Sequence, residues 1–170
     1  KYSQLEILNV SRVTFPALEE FRSLLLSENK IINLISKSTE KDSIKRHIID
    51  SAQIVDIIDN NTKSCIDLGS GSGLPGIVLA IIFKEKGSKI KFYLYEKSQK
   101  KSNFLRKMIR HFKLNADVKQ KNIFQEKDLE ADIIVARAFK PLQTILELIK
   151  KNFVHYNRLI LFLGKSGKSM

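Results

Sequence analysis

The chain has 170 residues, 43% of them hydrophobic, and a formal net charge of +12. That length suits one domain with a sizeable core. Every apolar run is broken by charge before it could span a bilayer, and no signal-peptide pattern is visible. A lone cysteine, Cys65, excludes an internal disulfide and reads as a small buried residue of a cytoplasmic protein. The charge is uneven: residues 1–60 hold 8 Lys/Arg against 9 Asp/Glu, and residues 61–170 hold 22 against 9. A basic second part suits a polyanionic partner, nucleic acid first. It equally suits simple solubility.

Residues 1–62 read as a helical extension packed on a core formed by 63–170. Thr14 is placed to cap a helix running to about Glu28, with Leu18, Phe21, Leu24 and Leu25 on one face. Lys30 to Ser36 is apolar but irregular. Lys41 to Asp59 reads as a second helix, with Ile44, Ile48, Val55 and Ile58 facing inward; Asn60-Asn61-Thr62 ends it. On that helix Arg46 and Asp50 are spaced as an i, i+4 pair, as are His47 and Ser51. Taken alone, these are a surface ion pair and a capped or core histidine.

Ser64 to Leu68 reads as a buried strand, and Asp67-Leu68-Gly69-Ser70-Gly71-Ser72-Gly73-Leu74-Pro75-Gly76 as a tight turn into a helix. Such a turn holds the polar part of a nucleotide-like ligand. Gly71 to Gly76 fits G-x-G-x-x-G, the weak dinucleotide fingerprint. Asp67 to Gly73 fits D-x-G-x-G-x-G, which resembles the first motif of S-adenosylmethionine-dependent methyltransferases. Asp67 favours the second, because a carboxylate repels a pyrophosphate and attracts a sulfonium and an ammonium.

Beyond residue 62 strands and helices alternate. Strands are expected at 64–68, 90–95, 116–120, 132–136 and 158–163, and helices at 74–86, 98–113 and 142–151. The pattern is α/β: a Rossmann-like, mostly parallel sheet with helices on both faces. Its ligands bind beyond the carboxyl ends of the strands. Glu96 ends the second strand, placed to accept from both hydroxyls of a ribose. Lys97, Lys100, Lys101, Arg106, Lys107, Arg110 and Lys113 follow with no acid before Ala116, on a helix whose Phe104, Leu105, Met108, Ile109 and Phe112 face inward. Such a basic stripe binds phosphates, or is merely solvated. Topology puts Asn122 and Ile123 beside an adenine. Arg137, after the fourth strand, stands at the reactive end, where it grips a carboxylate, orients a base or pairs with Asp67. Pro141 begins the next helix. One cysteine and three scattered histidines make no usual metal site.

With these residues in hand, the chain resembles bacterial small-subunit ribosomal RNA methyltransferase G, also called the glucose-inhibited division protein B family. The resemblance runs from about Asn29 to Lys165. It is carried by Asn33-Leu34, Arg46-His47-x-x-Asp50-Ser51, the glycine motif through Gly-Leu-Pro-Gly, Glu96-Lys97 with Lys100-Lys101 and Phe104-Leu105, and Arg137-Ala138-Phe139. It implies a class I fold, S-adenosylmethionine as donor, and methylation of N7 of a guanosine in the 530 loop of 16S ribosomal RNA, met free or in the small ribosomal subunit. It implies cofactor contacts at Asp67, Gly69, Gly71, Gly73, Leu74, Glu96, Asn122, Ile123 and Arg137. Arg137 is the catalytic candidate; Arg46, His47, Lys100, Lys101, Lys107 and Lys165 are the candidates for RNA. The chain departs from the family in having Ile32-Asn33-Leu34-Ile35 for Tyr-Asn-Leu-Thr, and in a Gly-Lys that appears only as Gly164-Lys165. The family's closing antiparallel hairpin finds no segment before Met170 and is expected to be missing.

Guanine N7 has a lone pair and no proton, so the chemistry requires neither a general base nor a catalytic cysteine. The chain also lacks the Asn/Asp-Pro-Pro-aromatic signature of exocyclic-amine methyltransferases. A non-enzymatic RNA-binding domain, a nicotinamide-dependent oxidoreductase and a methyltransferase with another substrate remain as alternatives at this point.

Overall fold

The computed structural model describes residues 3–164; Lys165 lies outside the described residues. Helices α1 (Ser3–Ile7), α2 (Phe15–Asn29), α3 (Lys37–Glu40) and α4 (Asp50–Ala52) precede the sheet. Strands β1 (Ser64–Leu68), β2 (Lys91–Tyr95), β3 (Ala116–Lys119), β4 (Leu129–Arg137) and β5 (Phe153–Phe162) then alternate with α5 (Gly76–Glu85), α6 (Gln99–Phe112) and α7 (Leu142–Asn152). The sheet order is β3-β2-β1-β4-β5, and every neighbouring pair is parallel. The order reverses between β1 and β4, which opens a crevice at their carboxyl ends.

Alternation along the strands builds two cores. Cys65, Phe92, Leu94, Ile133 and Val135 face the first, with α5, α6 and the N-terminal helices. Ile66, Leu68, Tyr95, Ile134 and Ala136 face the second, with Ile145, Leu148 and Ile149 of α7. Helix α5 is apolar on all sides and buried from Gly76 to Phe83. α2 lies over it. Phe21 of α2 meets Phe112 of α6 edge to face, with centroids 6.5 Å apart, which adds about 0.5–1.5 kcal/mol beyond the burial itself.

Three expected elements differ. Thr14 precedes α2 but makes no side-chain cap; it is buried, and Pro16 starts the helix. The second helix is not continuous. Ile44–Ile49 is wound as a π-helix, α4 follows for three residues, and Val55–Ile57 is a 3₁₀ turn. The Ser51 hydroxyl donates back to the His47 carbonyl at 2.5 Å, a bond that competes with regular α winding. Strands β4 and β5 both begin earlier than expected. Their early residues pair with one another, Glu130 with His155 and Ala131 with Tyr156, across an irregularity at Leu129/Glu130. Those polar side chains hide a strand that only the pairing reveals. Pro141 stands at the cap of α7, whose first residue is Leu142 as expected.

Where α5 crosses β1 and β2, Gly76 admits no side chain. A Cβ there would lie 2.5 Å from both Asp67 Oδ2 and Leu94 Cδ2. Gly76→Ala is expected to lower stability by about 1–3 kcal/mol, read as a reduced midpoint in urea. An unchanged midpoint would show that helix and sheet are free to separate.

Candidate functional site

The turn after β1 reverses because Gly69, Gly71 and Gly73 all adopt left-handed backbone, at φ 66, 52 and 82°. Two acids at the ends of adjacent strands hold it. Glu96 Oε2 accepts from Gly71 N at 3.0 Å, and its Oε1 accepts from Ser98 N at 2.7 Å. Asp67 Oδ2 accepts from Gly76 N at 3.1 Å. Gly69 is also where the chain closes on itself: a Cβ there would lie 2.1 Å from Phe139 Cδ2.

A cleft of about 680 Å³ opens beyond these strand ends. Its wall includes Gly69, Gly71, Leu74, Glu96, Asn122, Ile123, Arg137, His47 and Lys101 from the expected set. Gly73, within the turn, and Asp67, behind it, are off that wall. Asp67 is 1% exposed, and its Oδ1 has no hydrogen-bond partner. Lys100 and Lys107 stand on the outer side of α6, and Lys107 meets Glu28 at 3.5 Å. Arg46 is exposed and pairs with Asp42 at 3.8 Å, not with Asp50 as its spacing suggests. The π winding and the turn that follows direct Asp50 toward the sheet instead.

There Asp50 Oδ2 meets Arg137 Nη2 at 3.1 Å. The same nitrogen donates to the Arg46 carbonyl and approaches His47 Nδ1 at 3.3 Å. His47 Nε2 lies 3.0 Å from Thr39 Oγ1, whose hydroxyl donates to the Ser36 carbonyl at 2.8 Å. One direction of donation satisfies the whole chain. Arg137 can only donate, so Nδ1 accepts and Nε2 carries the proton toward Thr39. Burial and the neighbouring guanidinium lower His47 to about 4, so the ring is neutral. Both nitrogens are engaged, which makes His47 a wall residue holding Arg137 and leaves it no free donor for a phosphate. Arg137 itself is drawn below its usual range by burial, against the pull of Asp50 and Asp67. Its Nη1 is buried without a partner. Arg137 pairs with Asp50 and not, as one sequence option had it, with Asp67.

Burial likewise raises Asp67 to about 7, with Ser70 and the Gly76 amide offsetting only part of the cost. It also raises Cys65, a thiol without access to solvent.

Part of the wall was not placed by the sequence, although Asn33-Leu34 belongs to the family resemblance. Leu34, Ile35, Ser36 and Thr39 come from the N-terminal extension. Asn29, buried at the end of α2, places them: its Oδ1 accepts from Leu34 N at 2.7 Å and Ile35 N at 2.9 Å, and its Nδ2 donates to Glu40 at 2.6 Å. An asparagine ending a helix looks like any cap. Lys97, Lys140, Phe124 and Phe139 complete the rim. Among the described residues no helix is long and apolar enough to cross a membrane, and no group of His, Cys, Asp and Glu is placed to hold a metal.

A parallel sheet open at its switch point, with buried carboxylates behind the glycine turn in place of an open phosphate cradle, defines a Rossmann-like class I methyltransferase core. The solved structure of coclaurine N-methyltransferase, bound to N-methylheliamine and SAH, has this fold: TM-score 0.58 at 19% identity, over 84% of this chain and 42% of that one. At the sequence level the model of the GidB family, rRNA small subunit methyltransferase G, matches residues 14–169. The ribosomal RNA small subunit methyltransferase G of Pelagibacter ubique (strain HTCC1062) is 47% identical over 171 residues, 99% of this chain and 80% of the relative. That of Cereibacter sphaeroides (strain ATCC 17025 / ATH 2.4.3) is 44% identical over 143 residues, 84% and 69% respectively. The chain belongs to this family and is a methyltransferase. Membership removes the nicotinamide-dependent and non-enzymatic alternatives.

Asp67 makes the electrostatics of the site measurable. Its folded value of about 7 lies above the ordinary 3.8, so its contribution to stability is full below 3.8 and is lost as pH rises through about 7. Asp67→Asn cannot ionise. Between about pH 6 and about pH 8 the parent chain is expected to lose about 1 kcal/mol more than this variant in urea unfolding. His47 works in the opposite sense, losing stability as pH falls from 6.5 through about 4, and it is common to both proteins. Parallel pH responses would refute the titration of Asp67.

Proposed function

We propose that this chain methylates N7 of a guanosine in the 530 loop of 16S ribosomal RNA, using S-adenosylmethionine, in the cytoplasm. The observation that carries the reading is Arg137: a cleft-wall cation pinned through one nitrogen, its other terminal nitrogen buried without a partner. A buried guanidinium nitrogen left unpaired costs on the order of 1–3 kcal/mol. A ligand carboxylate satisfies it.

The residues present fit the donor. Arg137 would take the carboxylate of its methionine part through a side-chain shift that brings the buried Nη1 to the cleft. Glu96 keeps lone pairs beyond its two backbone bonds and would accept from the ribose hydroxyls. Asn122 and Ile123 line the adenine end, and Gly69, Gly71 and Leu74 the middle. Asp67, close behind the turn and partly ionised at neutral pH, would be drawn toward its charged form by a cationic ligand and away from it by a phosphate. When bound, S-adenosylmethionine supplies a methyl group on a positively charged sulfur. Because guanine N7 carries no proton, no residue of the chain has a proton to remove, and catalysis is alignment. Arg137, held by Asp50 and His47, supplies a fixed end from which the reacting parts are aligned. Lys101 at the mouth, with Lys100 and Lys107 on the outer face of α6, would hold phosphates, and that binding weakens with salt.

The direct test maps N7-methylguanosine in 16S RNA from cells lacking the protein; an unchanged 530 loop would overturn the assignment. For the site, Arg137→Ala is expected to cut methyl transfer roughly 100-fold while RNA affinity stays within about twofold. Normal turnover in that variant would remove Arg137 from the site.

A further inference from the structure

Phe124 is a large aromatic ring left 36% exposed at the rim of the cleft. Its loop is not loose. Asn122 Oδ1 accepts from Phe124 N at 3.2 Å. Asn152, buried at the end of α7, donates from one amide to the carbonyls of Ile123 at 3.5 Å, Phe124 at 3.2 Å and Glu126 at 2.5 Å. The ring is therefore held in place by a core residue. It stacks on Phe139 from the loop after β4, with centroids 6.0 Å apart and planes 25° apart. Phe139 in turn lies over Gly69. Its direction is set by Ala138, which takes a left-handed backbone at φ 47°, a conformation that strains a residue with a Cβ. Two rigid loops thus bring two rings together beside the glycine turn.

The same rim carries Lys97, Lys101 and Lys140. Among the described residues no carboxylate lies within ion-pair distance of these three, whereas Lys121 nearby is paired with Glu126 at 3.1 Å. Flat aromatic surface bordered by uncommitted cations suits an unpaired nucleotide: the rings take the base and the ammoniums take the flanking phosphates. A base must also leave its stack to enter the cleft, and an aromatic platform replaces the stacking it loses. Resting on the RNA-methyltransferase reading above, we propose that Phe124 and Phe139 form the stacking platform for the target purine, with Lys97, Lys101 and Lys140 holding the adjoining phosphates. Phe124 supplies the outer, solvent-facing ring. Phe139 backs it and keeps it level with the turn.

The chain contains no tryptophan, so Phe124→Trp creates a single indole reporter. This variant is titrated with an RNA oligonucleotide of the 530-loop sequence, with S-adenosylhomocysteine alone, and with the same RNA made abasic at the target guanosine. Saturable quenching by the intact RNA, lost with the abasic RNA and absent with S-adenosylhomocysteine alone, is the expected result. Quenching by S-adenosylhomocysteine alone, with RNA adding nothing, would put the ring over the cofactor and overturn the proposal. So would an indole that responds to no ligand. Phe124→Leu tests the same point without a new chromophore, because it keeps apolar bulk but removes the flat face. Its kcat/KM for RNA is expected to fall about 5- to 150-fold, with KM for S-adenosylmethionine and Tm unchanged. Full activity of Phe124→Leu beside an active parent overturns the platform alone. A parent that transfers no methyl group to 16S RNA overturns the broader reading instead.

Discussion

The site depends on two buried carboxylates that hold a turn from behind. Asp67 ends β1 and accepts from the first amide of α5; Glu96 follows β2 and accepts from Gly71 in the middle of the turn. A glycine-rich loop is the most costly backbone to order, since each glycine surrenders more freedom than any other residue. Without an acceptor from each neighbouring strand end, three left-handed glycines alternating with two serines would have little to keep them in one conformation. With both, the turn becomes a fixed rim to which Phe139, Arg137 and the N-terminal extension are fitted. Asp67 serves at a cost, because burial pushes it toward neutrality. That cost is what would make its ionisation visible in the pH dependence of stability.

The N-terminal extension shares the hydrophobic core with α5 and α6, and it also completes the cleft wall. Arg137 reaches from the end of β4 to Asp50, His47 and the Arg46 carbonyl, three groups from the π-wound turn and its edge. The neutral histidine passes the contact on to Thr39 and Ser36. A guanidinium fixed in this way lacks the rotational freedom it would have at a strand end facing solvent. π winding is uncommon and recurs at functional positions. Here it directs Asp50 inward and leaves Arg46 to pair with Asp42 on the surface. Spacing alone joined Arg46 to Asp50, because an i, i+4 rule presumes α winding.

Much of the fold was legible because its signals are local. Apolar runs, glycines and the acid at each strand end define a parallel sheet and the side on which it binds. Gly69 and Leu74 were singled out by the glycine motif and the family resemblance, and Glu96, the Asn122-Ile123 loop and Arg137 by their places after strands; the cleft gathers all of them. Asn29, Thr39, Phe124 and Asn152 were not found. Phe124 and Asn152 act through partners far along the chain, and Asn29 and Thr39 through nearby loop residues whose positions only the fold fixes. The early pairing of β4 with β5 escaped for the same reason: Glu130 and His155 look like loop residues until they face each other across a ladder.

By itself, then, the amino-acid order determined the class of the protein, the end of the sheet where it works and the charge of the face it offers. Those properties follow from periodicity, glycine placement and net charge, which are additive along a chain. Folding in three dimensions decided which cations are free, which histidine is neutral, which acid is buried and which ring is exposed. These depend on what each group loses from water and gains from neighbours tens of residues away. For Arg137, the partners lie some 90 residues earlier in the chain, and only their approach turns a strand-end arginine into a fixed side chain of the cleft wall.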